Sequence, residues 1–321
     1  MTSYDVVVPT VGRPSLSILL SALGTGPGQV YVVDDRPDPR TPLSLPDRVV
    51  VLTSGGRGPA AARNLGWRAA TREWVVFLDD DVQPRPDWRQ QLAEDLAAAG
   101  PDVGGVQGRI VVPLPGRRAP TDWERNVAGL EGARWATADM AYRRAVLEEV
   151  GGFDERFPAA YREDADLGLR VTRAGWRTEA GRRIVEHPVR MADRWVSVRL
   201  QRGNADDALM RRLHGRGWRR AAGVAPGARP WHLATTGCLG LALLGAIRRQ
   251  RGTTTAGALG WCGLTGRLAW KRISPGPRTG EEVITMALTS VLLPFAATWH
   301  WARGWLRPLC WMRTLCWMRS S

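Results

Sequence analysis

At 321 residues, 44% of them hydrophobic and 24% charged, the chain has room for one large domain or a domain with an appendage, and its composition excludes wholesale disorder. The net charge of +14 is unevenly placed: residues 1–187 hold 24 arginines against 26 acidic residues, and residues 188–321 hold 21 basic against 5 acidic. The basic excess therefore belongs to the tail, where charge alone does not choose among RNA, DNA and anionic lipid.

In chain order, residues 5–9 (DVVVP), 30–33 (VYVV), 49–52 (VVVL) and 74–78 (WVVFL) are continuous apolar runs of strand length. Residues 15–23 and 60–70, lying between them, suit helices. Apolar strands alternating with helices predict an α/β fold, a mostly parallel Rossmann-like sheet flanked by helices on both faces. Each run ends in a polar or turn-forming group: Pro9 and Thr10, Asp34 and Asp35, residues 54–56, and Asp79, Asp80 and Asp81. Ligands of open α/β sheets lie outside the carboxyl ends of the strands. The four groups are therefore expected to meet in one crevice, which points to an enzyme. Residues 84–100 read as a helix starting near Asp87 and stopped by Gly100. Further strands are expected at 103–107 and 109–112, and helices at 142–150 and 163–174. The catalytic domain is placed at 1–220 and a C-terminal region at 221–321.

Three stretches of that region lack charge, 231–247, 252–266 and 283–302, and the last approaches the ~20 residues a spanning helix needs. Ten of the 16 tryptophans follow residue 187, interleaved with arginine, a mixture suited to the headgroup layer. This predicts a helical, basic, Trp-rich region associated with an anionic membrane surface at the cytoplasmic face, by spanning or by interfacial helices. The bland alternative is a helical subdomain packed on the catalytic domain. The cysteines Cys238, Cys262, Cys310 and Cys316 form no CxxC pair, which argues against a zinc site or a disulfide framework. The N-terminus shows no leader pattern. The pentapeptide LCWMR at 309–313 recurs at 315–319 without an assigned role.

Two acidic clusters carry the chemistry. In FLDDDV, residues 77–82, three carboxylates at a strand end repel one another unless a cation is present, and hard oxygen ligands suit Mg²⁺ or Mn²⁺ held with substrate phosphates. The alternative is a solvated turn leading into the next helix. In REDADL, residues 162–167, Glu163 and Asp166 share a helix face and Asp164 points elsewhere. Carboxylates in a helix's first turn are stabilised by its dipole. The functional alternative is a general base that deprotonates an acceptor hydroxyl.

The order VVVPTVGRP, VVDDR, GPAAARNLGW, FLDDDV, ADMAYRR, GGFDERF and YREDADLGLR resembles the family 2 glycosyltransferases of GT-A fold, over about residues 4–190. The resemblance implies inverting transfer from a nucleoside-diphosphate sugar. It implies nucleotide contacts at Pro9, Thr10, Arg13, Asp34, Asp35, Gly58, Arg63 and Asn64. Asp79 and Asp81 match the ends of a DxD element, with Asp80 between them on the donor side. Asp164 matches the proposed base, and His187 a further metal ligand. Asp139 and Met140 match an acceptor-side loop, joined there by Glu163. A QxxRW element of processive relatives is absent at residues 201–204, which favours transfer of one or a few sugars. The implied partners are a sugar nucleotide and a glycan or lipid-linked acceptor, with no nucleic acid. Two alternatives stay open: a sugar nucleotidylyltransferase, disfavoured by a first loop with one glycine, and a non-enzymatic phosphate- or membrane-binding protein.

Overall fold

The computed structural model describes residues 3–306; the LCWMR repeat, Cys310 and Cys316 lie outside the described residues. The chain forms two compact units. One comprises the residues up to Pro113, Val127–Val189 and Ala221–Val224; the other comprises Leu114–Asn126, Arg190–Arg220 and the residues from Ala225 onward. Compactness thus divides the chain at several points rather than once near residue 220.

The first unit is built on an eight-stranded sheet: β1 (Tyr4–Thr10), β2 (Val30–Asp34), β3 (Val49–Thr53), β4 (Trp74–Leu78), β5 (Gln83–Pro84), β6 (Val103–Val111), β7 (Asp139–Arg143) and β8 (Arg177–Glu186). Its order is β3-β2-β1-β4-β7-β6-β8-β5. Six strands run one way; β7 and the two-residue β5 run against their neighbours. The sheet is therefore mixed, with the expected parallel core. Val6, Val7 and Val8 of β1 and all of β4 have essentially no exposure, because helices cover both faces of these central strands.

The covering helices are α1 (Ser15–Leu23), α2 (Pro59–Ala69), α3 (Trp88–Ala98), α5 (Arg144–Val150) and α6 (Glu163–Arg173), while α4 (Asp122–Ala128) straddles the two units. Helix α2 lies close against β1 because Gly66 has no side chain. A Cβ there would come 2.3 Å from Val7 Cγ1 and 3.2 Å from Val33 Cγ2. Alanine has the better helix propensity, by about 1 kcal/mol. Forcing a methyl into this contact nevertheless costs about 1–3 kcal/mol. Gly66→Ala is thus expected to lower the melting temperature in a thermal scan, and a rise would contradict the close-packing argument.

Four elements differ from the sequence expectation. The helix expected from residue 142 begins at Arg144, because the preceding residues are drawn into β7, which fills the gap between β4 and β6. The two strands expected at 103–112 are one, β6, with irregular register around Gly108. Strand β8 was not anticipated: it carries five charged residues, and only Arg183 and Val185 are buried. The helix expected from residue 84 starts at Trp88, because Gln83 and Pro84 pair with β8.

The second unit is helical: α7 (Val196–Arg199), α8 (Asn204–His214), α9 (Trp218–Ala221, its last residue in the first unit), α10 (Arg229–Ile247), α11 (Arg251–Ile273) and α12 (Gly280–Leu306). Helices α10 and α11 form a tight hairpin in which a Cβ on Gly257 would meet the Ala242 backbone nitrogen at 2.5 Å. Arg272, 8% exposed, ties the bundle by donating to Asp122 at 2.9 Å, Ser197 at 2.9 Å and Thr289 at 2.8 Å. By length and apolar composition α10 and α12 could each cross a membrane, although core helices pass the same test. Many of their large apolar residues are exposed, including Leu241, Leu243, Ile247, Ile284 and Leu288.

Candidate active site

The carboxyl ends of β1, β2 and β4 open on one edge of the sheet, as their parallel pairing requires. The three aspartates after β4 there have three different surroundings. Asp80 is 1% exposed and accepts hydrogen bonds from Thr10 Oγ1 at 2.6 Å and from the Arg13 guanidinium. It fixes the turn, and it occupies Thr10 and Arg13 in doing so. Asp79 is half-buried and accepts from Arg63 Nη2 at 2.8 Å. Asp81 is buried, with one oxygen 3.5 Å from His187 Nε2.

His187 reaches this edge because it follows β8, where its backbone N–H bonds to Val111 O at 2.8 Å. Asp79, Asp81 and His187 each offer one ligand atom, all within 4.8 Å of one another, and the group could hold a metal ion. The donor chemistry fits a divalent cation: two carboxylates supply charge and hard oxygens, and a neutral imidazole adds a nitrogen. Nδ1 of His187 is buried without a hydrogen-bond partner, so the ring is held by packing and its backbone rather than by a bond to its second nitrogen.

Arg63 links this group to helix α6. It is 2% exposed, lies over the Phe153 ring at 5.6 Å, and donates to Asp79 on one side and to Glu163 Oε1, also at 2.8 Å, on the other. Burial opposes its charge, but the two carboxylates outweigh burial and raise its pKa above the ordinary value. Glu163 is itself 2% exposed, and burial, helped by the neighbouring Asp164 charge, pushes its carboxyl up to about 7. Asp164 is half-buried and accepts from the Ala165 N–H at 2.6 Å. Burial and the Asp79 charge raise its pKa, against the pull of that N–H, Arg63 and Arg162. Arg162, just before α6, holds a left-handed backbone (φ 79°), a conformation that costs a non-glycine residue energy and aims the acidic first turn.

The other residues singled out from sequence divide between this edge and the interior. Asp35 accepts from Ser54 Oγ at 2.6 Å and from the Gly58 N–H at 3.0 Å. Gly58 itself has φ 95°, and a Cβ would meet Pro158 O at 2.7 Å. Asp34 is gripped by Arg36, whose hydrogen bonds hold its carboxyl below the usual range. Pro9 is half-buried within β1.

Four expectations require correction on geometry. Asn64 spends both N–H groups on Phe153 O and Glu155, and its oxygen on Trp67 and the Phe153 N–H. It is a buried connector with no group left for a nucleotide. Asp139 and Met140 do not form a loop: they begin β7 and have no exposure. Asp139 is enclosed by Trp88 Nε1 at 2.7 Å and Arg183 Nε at 2.8 Å, which closes it to an acceptor. Glu163 likewise faces Arg63 rather than open space. Sequence reasoning missed Arg183 altogether, since a fully buried arginine in a charged outer strand has no local signature.

A mixed α/β sheet with acidic groups converging at the carboxyl edge of its parallel strands defines a GT-A type fold. The mannosyltransferase PcManGT of Pyrobaculum calidifontis has the same fold, with a TM-score of 0.51 and 17% identity over 97% of this chain and 87% of that one. The glycosyl transferase family 2 profile matches residues 6–166, and the glycosyl transferase family 21 profile matches residues 126–313. The chain belongs to glycosyl transferase family 2. It is similar to the pre-mycofactocin glycosyltransferase of Mycobacterium tuberculosis, 36% identical over 38% of this chain and 28% of that protein. It is also similar to the succinoglycan biosynthesis protein ExoO of Rhizobium meliloti, 39% identical over 28% of this chain and 27% of that one. The match therefore spans little more than a quarter of the length of these curated relatives.

Proposed function

We propose that the chain is an inverting glycosyltransferase that moves a sugar from a nucleoside-diphosphate sugar to a hydroxyl of a cell-envelope or lipid-linked acceptor. The observation that carries this reading is the Asp79–Arg63–Glu163 bridge. It sets the Asp79, Asp81 and His187 group and the first turn of α6 in one rigid arrangement. Asp164 is the general base: it is the acid of that turn that keeps some exposure, and its raised pKa suits it to hold a proton during turnover. It takes the proton of the acceptor hydroxyl as that oxygen bonds to the anomeric carbon. The bond from that carbon to the diphosphate oxygen breaks with its electrons, and the nucleoside diphosphate leaves. Asp79, Asp81 and His187 would hold a divalent cation, which would supply positive charge against the leaving diphosphate.

The mixed nitrogen and oxygen donors favour Mn²⁺ over Mg²⁺, which prefers oxygen and retains its waters. The described complex of the Pyrobaculum enzyme, with GDP-mannose and Mn²⁺, supports that choice. Asp34, Asp35 and Gly58, at the ends of β2 and before α2, are assigned to the nucleoside, with Pro9, Thr10 and Arg13 lining the neighbouring turn. Catalysis belongs to the sheet-bearing unit. The helical unit is assigned to the membrane surface at the cytoplasmic face, on the strength of its basic charge and exposed apolar helices.

The test is a calorimetric titration with UDP, GDP and dTDP, each with and without Mn²⁺. One nucleotide is expected to bind tightly and only with the metal, and Asp81→Ala is expected to weaken it at least tenfold, about the low end for loss of a metal-site contact. A folded protein that binds none of the three would overturn the donor assignment. Release of pyrophosphate in place of nucleoside diphosphate would transfer the reading to a nucleotidylyltransferase.

A further inference from the structure

We infer that the base of the α10–α11 hairpin is a binding site for the phosphate monoester headgroup of a membrane lipid. A cleft of about 400 Å³, part of it open to solvent, lies there between the start of α10 and the end of α11. Its walls include Trp231, His232, Leu264, Arg267, Leu268 and Lys271. The floor is apolar, and the two cations stand on one helix face four residues apart.

Three observations point to an anion. First, Arg267 and Lys271 have no carboxylate partner among the described residues; Arg267 stacks on the Trp231 ring, 3.8 Å from guanidinium carbon to centroid. Two like charges at that spacing repel along a helix, a cost that a bound dianion would reverse. Second, residues 208–280 contain thirteen Lys or Arg and no Asp or Glu, so no acid within that stretch of sequence serves them. The neighbouring Arg272 takes Asp122, at 2.9 Å. Third, the cleft includes Ala228 at the start of the 19-residue α10, where unpaired N–H groups add positive potential. The ordinary account of a cation near a helix C-terminus covers Lys271, in the last turn of α11, but not Arg267 one turn earlier.

The apolar floor selects a lipid over free phosphate. Leu264, Leu268 and the Trp231 ring would carry the first carbons of a chain. Trp and Arg stacked together suit the headgroup layer. Two cations match a monoester, which carries close to two negative charges, better than a diester, which carries one. The inference rests on the membrane association proposed above and is independent of the catalytic reading.

The experiment is flotation of the full chain with phosphatidylcholine vesicles containing equal fractions of phosphatidic acid or phosphatidylglycerol. The wild-type chain is expected to bind the phosphatidic acid vesicles about fivefold more tightly, a modest share of what two cations contribute at a membrane surface. Arg267→Gln/Lys271→Gln should abolish that preference with an unchanged melting temperature, and the charge-keeping Arg267→Lys/Lys271→Arg should retain it. Arg248→Gln/Arg249→Gln, in the exposed turn after α10, should lower binding to both vesicles without changing their ratio. If the double glutamine variant misfolds, Lys271→Gln alone, at an exposed position, is expected to lose part of the preference. Equal binding to both anionic vesicles by the wild type would overturn the site while leaving membrane association standing. Binding to no vesicle would overturn both. Full displacement by inorganic phosphate would overturn the lipid assignment.

Discussion

Asp164→Asn is expected to lower kcat by about 10²- to 10⁴-fold, the range for loss of a positioned general base. Its Mn²⁺-dependent nucleotide affinity should stay near that of the wild type. The substitution keeps the shape of the side chain and its hydrogen bond from the Ala165 N–H, so the first turn of α6 survives. Glu163 is also a raised carboxyl, but its oxygen is held by Arg63 inside the fold, where no acceptor hydroxyl can reach it. Glu163→Gln should therefore change stability more than it changes the order of magnitude of kcat. Steady-state kinetics on both variants decide between them. A Glu163→Gln loss matching that of Asp164→Asn would move the base to Glu163.

The pH dependence follows from the direction of the same shifts. The proposed base works as its carboxylate, so kcat/KM is expected to fall as pH drops through the pKa of Asp164. That pKa is raised, which places the acid limb above the ordinary carboxylate range. Stability has the opposite slope. Glu163 titrates at about 7 when folded and at 4.5 ordinarily, so the folded chain holds more protons across that interval. Its contribution to stability is greatest below 4.5 and declines as pH rises through about 7. Activity limited from the acid side and stability eroded from the neutral side are separable by a pH–rate profile and a pH series of thermal scans.

The parallel core was legible in the sequence because β1, β2 and β4 are buried on both faces and so read as unbroken apolar runs. The acids could be placed for the same reason, since each follows directly from a recognisable strand. Strand β8 could not be seen: its side chains are mostly charged, and neighbouring β6, not composition, makes it a strand. Strand β7 was hidden by its short DMAYR sequence, in which Met and Ala suit a helix equally well until β4 and β6 pair on either side. The approach of His187 to Asp81 depends on β8, so spacing alone could not derive it; it entered through the family resemblance. The contacts of Asn64, Asp139 and Glu163 depart from the roles the resemblance implies for a common reason. Each is polar and close in sequence to the site, and each is consumed by a partner 44 to 100 residues away.

Arg63 makes a separate case: the resemblance implies a nucleotide contact, and we propose that its buried ion pairs serve as an internal brace. Its two ion pairs are to Asp79 and to Glu163, 16 and 100 residues distant, and its side chain is 2% exposed. Removing one member of a buried charge cluster leaves the others without a counter-charge, which costs about 3–5 kcal/mol. Arg63→Met is therefore expected to lower the melting temperature by about 6–20 °C, taking 2–4 °C per kcal/mol for a chain of this size. The double variant Arg63→Met/Glu163→Gln should recover part of that loss, because one stranded carboxylate is then neutral. Thermal scans of the four proteins in the cycle give the coupling directly. A nucleotide-binding arginine would behave differently: Arg63→Met would melt like the wild type and bind nucleotide far more weakly, with no recovery in the double variant. The brace also ties Asp79, proposed as a metal ligand, to the helix that carries the proposed base. Loosening it should therefore reduce kcat in the surviving folded protein even at saturating Mn²⁺ and donor.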